Sequence, residues 1–188
     1  MVKLRARCVL VGDAAVGKSA LSQMLRSDGS HFQKIYSMTT VVEVLTKCVT
    51  IPDTSDSVEL YIFDSPGREI FAEACEKMWG QPSVLCVVFD ISSEASFNSC
   101  GRWLERVRAQ CQGQQVPGVL VGNKSDLSSR REVEVAVAQE WAQQQGLEYF
   151  ETSVVKEMEN CDAPFVCLAQ AFHTQYQEQI KTTESLVT

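Results

Sequence analysis

Only two histidines, His31 and His173, occur in 188 residues, which leaves a zinc site or a histidine-based catalytic triad without its usual groups. The eight cysteines form no C-x-x-C pair, and most sit in apolar periodic runs such as VLCVVFD. They read as reduced, small hydrophobes of a reducing compartment. No apolar run approaches the ~18 residues that span a bilayer, and the N-terminus has no hydrophobic signal core. A cytosolic setting, or one continuous with it, is therefore expected. A basic surplus is also missing: the net charge is -7, which argues against a nucleic-acid groove, since such a groove displaces counterions with a basic face.

What remains is a chain of 45% hydrophobic residues, long enough for one sizeable core and too short for two ordinary domains. Short Val-rich runs at Cys8–Val11, Val58–Phe63, Val84–Phe89 and Val116–Val121 close on Gly, Asp or Asn, as buried strands do. LEYFETS (Leu147–Ser153) reads as a last strand, and Val41–Ile51 with Val58–Phe63 as a hairpin turned by PDTSDS. Between these lie helical stripes: Leu21, Met24 and Leu25; Phe97, Cys100, Leu104 and Val107; Val133, Val137 and Trp141; Phe165, Leu168, Phe172 and Tyr176. Core packing explains such stripes. Strands alternating with helices predict an α/β fold, its mostly parallel sheet covered on both faces, with ligands at the carboxyl ends of the strands.

GDAAVGKS (Gly12–Ser19) falls at that edge, between the first strand and the first helix, and matches G-x-x-x-x-G-K-[ST] completely. Gly12 and Gly17 let the backbone curl so that successive N–H groups face phosphate oxygens. The helix N-terminus adds its positive end, Lys18 a mobile cation and Ser19 a hydroxyl for Mg2+. Asp13, Ala14, Ala15 and Val16 make the remainder of the cradle. At the end of a later strand comes NKSD (Asn123–Asp126). A carboxylate in the plane of a base accepts two hydrogen bonds from the N1–H and N2–H2 edge of guanine, whereas adenine offers no such pair. Asp126 is thus the predicted guanine reader, with Asn123 and Lys124 beside it.

GDAAVGKS, DSPG, NKSD and ETS in this order resemble the small GTPases of the Ras superfamily, nearest the Rab group, over nearly the whole chain. MVKLRARCVLVGDAAVGKSAL, RSDGSHFQK, IPDTSDSVELYIFDS, PGVLVGNKSDL and ETSVVKEMEN followed by APF are similar to a Rab-like branch serving intraflagellar transport. The resemblance implies a three-layer P-loop NTPase fold with a six-stranded sheet, as a single G domain over residues 1–188 whose last residues, 182–188, fray. It implies GTP or GDP with Mg2+ as ligands. Phe32 would stack on the guanine. Thr39, with Thr40 as the alternative, would join Mg2+ and the γ-phosphate, Asp64 would hold Mg2+ through a water, and the Gly67 N–H would meet the γ-phosphate. Ser153 and Val154 would contact the guanine carbonyl by backbone, although Val155 appears as an extra residue before Lys156. The implied partner is the intraflagellar transport B complex, through a heterodimer with its small β-sandwich subunit, subunit twenty-five. The implied location is cytoplasm, basal body and cilium or flagellum.

Departures from the family pattern bear on catalysis. Family members place a water-orienting glutamine after the DxxG glycine; this chain has Arg68. Arginine has donors only and cannot accept a proton from water, so hydrolysis with Arg68, Lys18 and Gly67 at the phosphates is expected to be slow. Ala14 is a mild change, Pro66 leaves the Gly67 N–H free, and Val41 replaces a Rab glycine. The last cysteine is Cys167 and the chain ends TTESLVT, so no prenyl anchor is expected and a partner would localise the protein. Two other readings remain: an adaptor in which GTP is a permanent folding ligand, and a conventional membrane-trafficking Rab.

Overall fold

The computed structural model describes residues 1–26, 38–155 and 161–187. Its centre is a six-stranded sheet built from β1 (Lys3–Val11), β2 (Glu43–Thr50), β3 (Ser57–Asp64), β4 (Val84–Asp90), β5 (Gly118–Asn123) and β6 (Glu148–Thr152). The order is β2-β3-β1-β4-β5-β6. Only β2 runs antiparallel, pairing with β3 from Glu43 opposite Asp64 to Thr50 opposite Ser57, which is the hairpin expected from the sequence. The helices are α1 (Lys18–Arg26), α2 (Ala72–Trp79), α3 (Glu94–Asn98), α4 (Cys100–Gln110), α5 (Val135–Gln144) and α6 (Ala163–Val187).

Alternation along the central strand supplies two cores. In β1, Cys8 and Leu10 face one side, packing with Leu21 and Leu25 of α1 and Phe165 and Leu168 of α6. Val9 and Val11 face the other, where Trp79, Trp103, Leu104, Ala138 and Ala142 cover the sheet. A strand with both faces covered has no polar side to show, and β4 and β5 are buried throughout.

Some boundaries and faces differ from the expectation. β1 begins at Lys3, because the mixed stretch KLRAR pairs in register with β3 from Lys3 opposite Ser57 onward. The stripe from Phe97 to Val107 is split at Ser99 into α3 and α4. On α5 the reading of Val133, Val137 and Trp141 as one core face is corrected: Val137 is exposed, while Ala138 and Ala142 are fully buried. Small residues let α5 sit close to the sheet, and a hydropathy stripe underweights them. Among the cysteines, all eight are free, with Cys48 exposed, Cys167 half-buried and the others buried.

The topology gathers one end of the molecule. Five parallel strands finish at Val11, Asp64, Asp90, Asn123 and Thr152, so the polar residues that close the hydrophobic runs lie along one sheet edge, where the strand order reverses around β1.

Candidate functional site

The loop after β1 is built around backbone that few side chains tolerate. Gly12 has φ 146° and lies against the Val88 carbonyl of β4; Gly17 has φ 100° and lies against the Asn123 side chain. A Cβ at either position would collide with these neighbours. Between them Ala15 also takes positive φ. Lys18 opens α1 and is buried, its Nζ donating to the carbonyls of Gly12 and Asp13, both at 2.8 Å. Burial lowers its pKa to about 8, against the charges of Asp64 and Asp13. The loop is thereby wrapped around its own cation.

Beside it, Ser19 Oγ stands 2.8 Å from Thr39 Oγ1, whereas Thr40 is exposed. Asp64 is 1% exposed and its Oδ1 is buried with no hydrogen-bond partner. Burial raises the pKa of this carboxyl, in spite of hydrogen bonds from Ser19 and Ser22 and the charge of Lys18. Two adjacent hydroxyls and an orphaned carboxylate oxygen suit a hard divalent cation that takes its other ligands from phosphate and water. Gly67 packs so closely on the Asp13 carbonyl and the Ala14 nitrogen that a Cβ there would clash. Arg68 is exposed in extended backbone.

The third part joins β5 and β6. Asn123 is fully buried; its Nδ2 donates to the Val16 carbonyl at 2.9 Å, and its Oδ1 accepts from Thr152 Oγ1 at 2.9 Å. One amide therefore ties the glycine loop to both strands. Lys124 follows in left-handed backbone with Nζ 2.6 Å from Asp90 Oδ2. Burial would raise the Asp90 carboxyl, but hydrogen bonds from Lys124 and Ser92 outweigh it and leave the pKa lowered. Asp126 accepts a 2.6 Å hydrogen bond from Ser153 Oγ, and the Ser153 carbonyl accepts from Cys161 Sγ at 3.3 Å. Val155, expected from the sequence to be an extra residue, is 66% exposed and its N–H donates to Ser153 Oγ. Phe32 and Lys156 lie outside the described residues.

Sequence reasoning assigned Ser153 a backbone role and missed its hydroxyl, which fixes the orientation of Asp126. It also missed Asp90 as the partner of Lys124 and Trp103, whose Nε1 donates to Asp13 Oδ1 at 2.8 Å. A strand-ending aspartate in VVFD was the available signal for Asp90; nothing local pointed from Trp103 to a residue 90 positions away. Asn123→Ala should destabilise the fold by about 2 to 4 kcal/mol, because the Val16 carbonyl and the Thr152 hydroxyl would both be left buried and unpaired. Urea unfolding measures this directly.

Residues 7–174 match the model of the Ras family. The chain is similar to an intraflagellar transport protein 27 homolog of Homo sapiens, 57% identical over 99% of this chain and 100% of the relative. It is also similar to intraflagellar transport protein 27 of Chlamydomonas reinhardtii, 40% identical over 94% of this chain and 88% of the relative. A homolog in Trypanosoma brucei brucei is 31% identical over 96% of this chain and 97% of its own length.

Proposed function

Because the chain belongs to the Ras family, we propose that it is a Rab-like guanine-nucleotide switch of intraflagellar transport, with slow intrinsic hydrolysis. The observation that carries the base assignment is the Asp126 carboxylate, held at 2.6 Å by a buried serine hydroxyl at the same sheet edge as the glycine loop. Guanine offers two donors to such a carboxylate, and a fixed acceptor discriminates more strongly than a mobile one because a wrong base leaves it unpaired. Asn123 spans from this end to Val16, so base and phosphate subsites move as one body.

Each group then has a task. The backbone from Asp13 to Lys18 takes the phosphate chain, and on nucleotide binding the Lys18 ammonium turns from loop carbonyls to phosphate oxygens. Ser19 and Thr39 would supply hydroxyls, and Asp64 an acceptor, to Mg2+, whose charge would offset that of the phosphates. The Gly67 N–H donates to a third phosphate alone, making the segment after β3 the part that distinguishes triphosphate from diphosphate. Thr39 suits the corresponding role before β2.

Arg68 stands where a water-orienting acceptor is needed and has none to offer. Single-turnover assays should show Arg68→Gln raising hydrolysis about tenfold or more, since positioning the water accounts for much of the catalysis of this reaction. A wild-type rate above that of Arg68→Gln would reverse the assignment. The exposed, donor-only Arg68 also favours a second reading, in which GTP stays bound as a folding ligand and the chain serves as an adaptor. Nucleotide exchange measured on the purified protein separates the two: exchange within minutes supports a switch, and retention over days an adaptor.

The names of the relatives support a place in the intraflagellar transport machinery, with association with the cilium or flagellum. Within it, we place the chain in the B complex as a heterodimer with the small β-sandwich subunit, subunit twenty-five, with cytoplasm and basal body as its other locations. Purifying the protein with its bound material, then identifying nucleotide and partner, tests the whole reading. Guanine nucleotide and the sandwich subunit are expected together; a nucleotide-free chain that stays monomeric with that subunit would contradict it.

A further inference from the structure

Helix α4 carries side chains that reach the glycine loop, the segment after β3 and helix α2 at once. Trp103 Nε1 donates to Asp13 Oδ1 at 2.8 Å, and Arg102 Nη2 lies 3.5 Å from the same oxygen. Arg102 Nε lies 3.4 Å from Glu69 Oε2. One turn on, Arg106 donates from Nη2 to Glu69 Oε1 and from Nη1 to Glu76 Oε1, the latter at 2.6 Å. Glu69 immediately follows Arg68 and opens a short 3-10 turn, Glu69–Phe71, that leads into α2. Two residues before it, Gly67 rests on the Asp13 carbonyl and the Ala14 nitrogen.

The arrangement gives the glycine loop and the segment after β3 a common support. Asp13 is held by the Trp103 indole; Glu69 is held by two guanidinium groups from the same helix. We infer that Glu69, gripped by Arg102 and Arg106, is a positioning residue that keeps the Gly67 N–H poised beside the glycine loop and so sets the preference of the site for nucleoside triphosphate over diphosphate. This rests on the guanine-nucleotide reading above.

An isolated, half-exposed ion pair contributes little, because solvent screens it and side-chain entropy opposes it. Here two arginines converge on one carboxylate, and their stems leave adjacent turns of a packed helix, which gives the network a fixed geometry. Releasing Glu69 frees the backbone from Gly67 to Glu69, and that freedom must be lost again when a third phosphate is engaged. On that reading a diphosphate would be held by the glycine loop, Lys18 and Asp126 and would stop short of Gly67. The effect of Glu69 therefore falls on triphosphate alone. Neighbouring Arg68 and Ile70 are exposed, so of these three side chains Glu69 is the one held by α4.

Calorimetric titration of GDP and of a non-hydrolysable GTP analogue into nucleotide-stripped protein tests the inference, with wild type, Glu69→Gln, Arg106→Met and the double variant compared. Each single change should weaken the analogue by about five- to tenfold, in the range of a modest coupling between sites, while GDP changes by less than about twofold. The double variant should be no weaker than either single one, and Arg106→Lys should recover part of the loss. Unchanged affinity for the analogue in both single variants would overturn the inference. So would a parallel fall in GDP affinity, which marks a merely structural contact. Wild type that binds neither nucleotide would overturn the guanine reading itself, and with it this one.

Discussion

Asp126→Asn is expected to lower affinity for GDP by about a hundredfold or more and to raise affinity for xanthosine diphosphate. Two hydrogen bonds to a charged acceptor contribute on the order of 1.5 to 3 kcal/mol each, and about 1.4 kcal/mol is a factor of ten. The substitution keeps the size and the partner: Ser153 can still donate to the amide oxygen as it now does to Asp126 Oδ1 at 2.6 Å. What reverses is the group presented to the base, since the amide nitrogen donates where the carboxylate accepted. Guanine meets that nitrogen with donors, whereas xanthine has a carbonyl in place of the 2-amino group. Competition of both diphosphates against a fluorescent guanine nucleotide measures the reversal. Ser153→Ala should give a smaller loss without any change of preference, because it loosens the carboxylate without altering its chemistry.

Lys18→Met should weaken GDP and GTP alike, by about a hundredfold or more, through loss of charge-assisted contacts to the phosphates. The empty protein responds differently. Folding lowers the Lys18 pKa from 10.5 to about 8, so between these values the unfolded chain binds more protons than the folded one. Stability then rises with pH across this window, and below about pH 8 the full cost of burying the charged ammonium is present. Wild type should therefore gain stability relative to Lys18→Met as pH rises from about 8 towards 10. Taking the difference between the two proteins cancels the thiol groups that do not couple to Lys18, among them Cys8 and Cys100, which burial pushes up to about 12. Bound phosphate should flatten the slope by stabilising the charged ammonium in the folded state. Thermal melts of the two proteins, empty and loaded, provide the four curves.

The reach of the sequence follows from which forces act locally. Strands β4 and β5 and the loops that follow them were legible, because a strand covered on both faces must be apolar and must end where solvent begins. Gly12, Gly17 and Lys18 after β1, Asp64 at the end of β3 and Asn123 at the end of β5 share one sheet edge, and their residue types declare the backbone or charge that the edge needs. Lys3–Arg7 was hidden, since its pairing with β3 is a long-range contact and its own pattern is mixed. Val137 misled because hydrophobicity was read without size: Ala138 and Ala142 make the close contact with the sheet. The links from Trp103 to Asp13, from Ser153 to Asp126 and from Arg106 to Glu69 are 90, 27 and 37 positions long. Such hydrogen bonds are set by packing of whole elements, so no local spacing announces them, though each residue was individually visible.

Displacement of a fluorescent GDP from the purified protein in the presence of Mg2+ by GTP and by ATP tests the central claim most directly. GTP should compete at concentrations close to those of the protein, and ATP should fail even at about a thousandfold excess, as a site whose partly buried acceptor is held in place by Ser153 rejects a base lacking its donors. Equal competition by ATP, or no binding of the fluorescent GDP at all, would contradict the account.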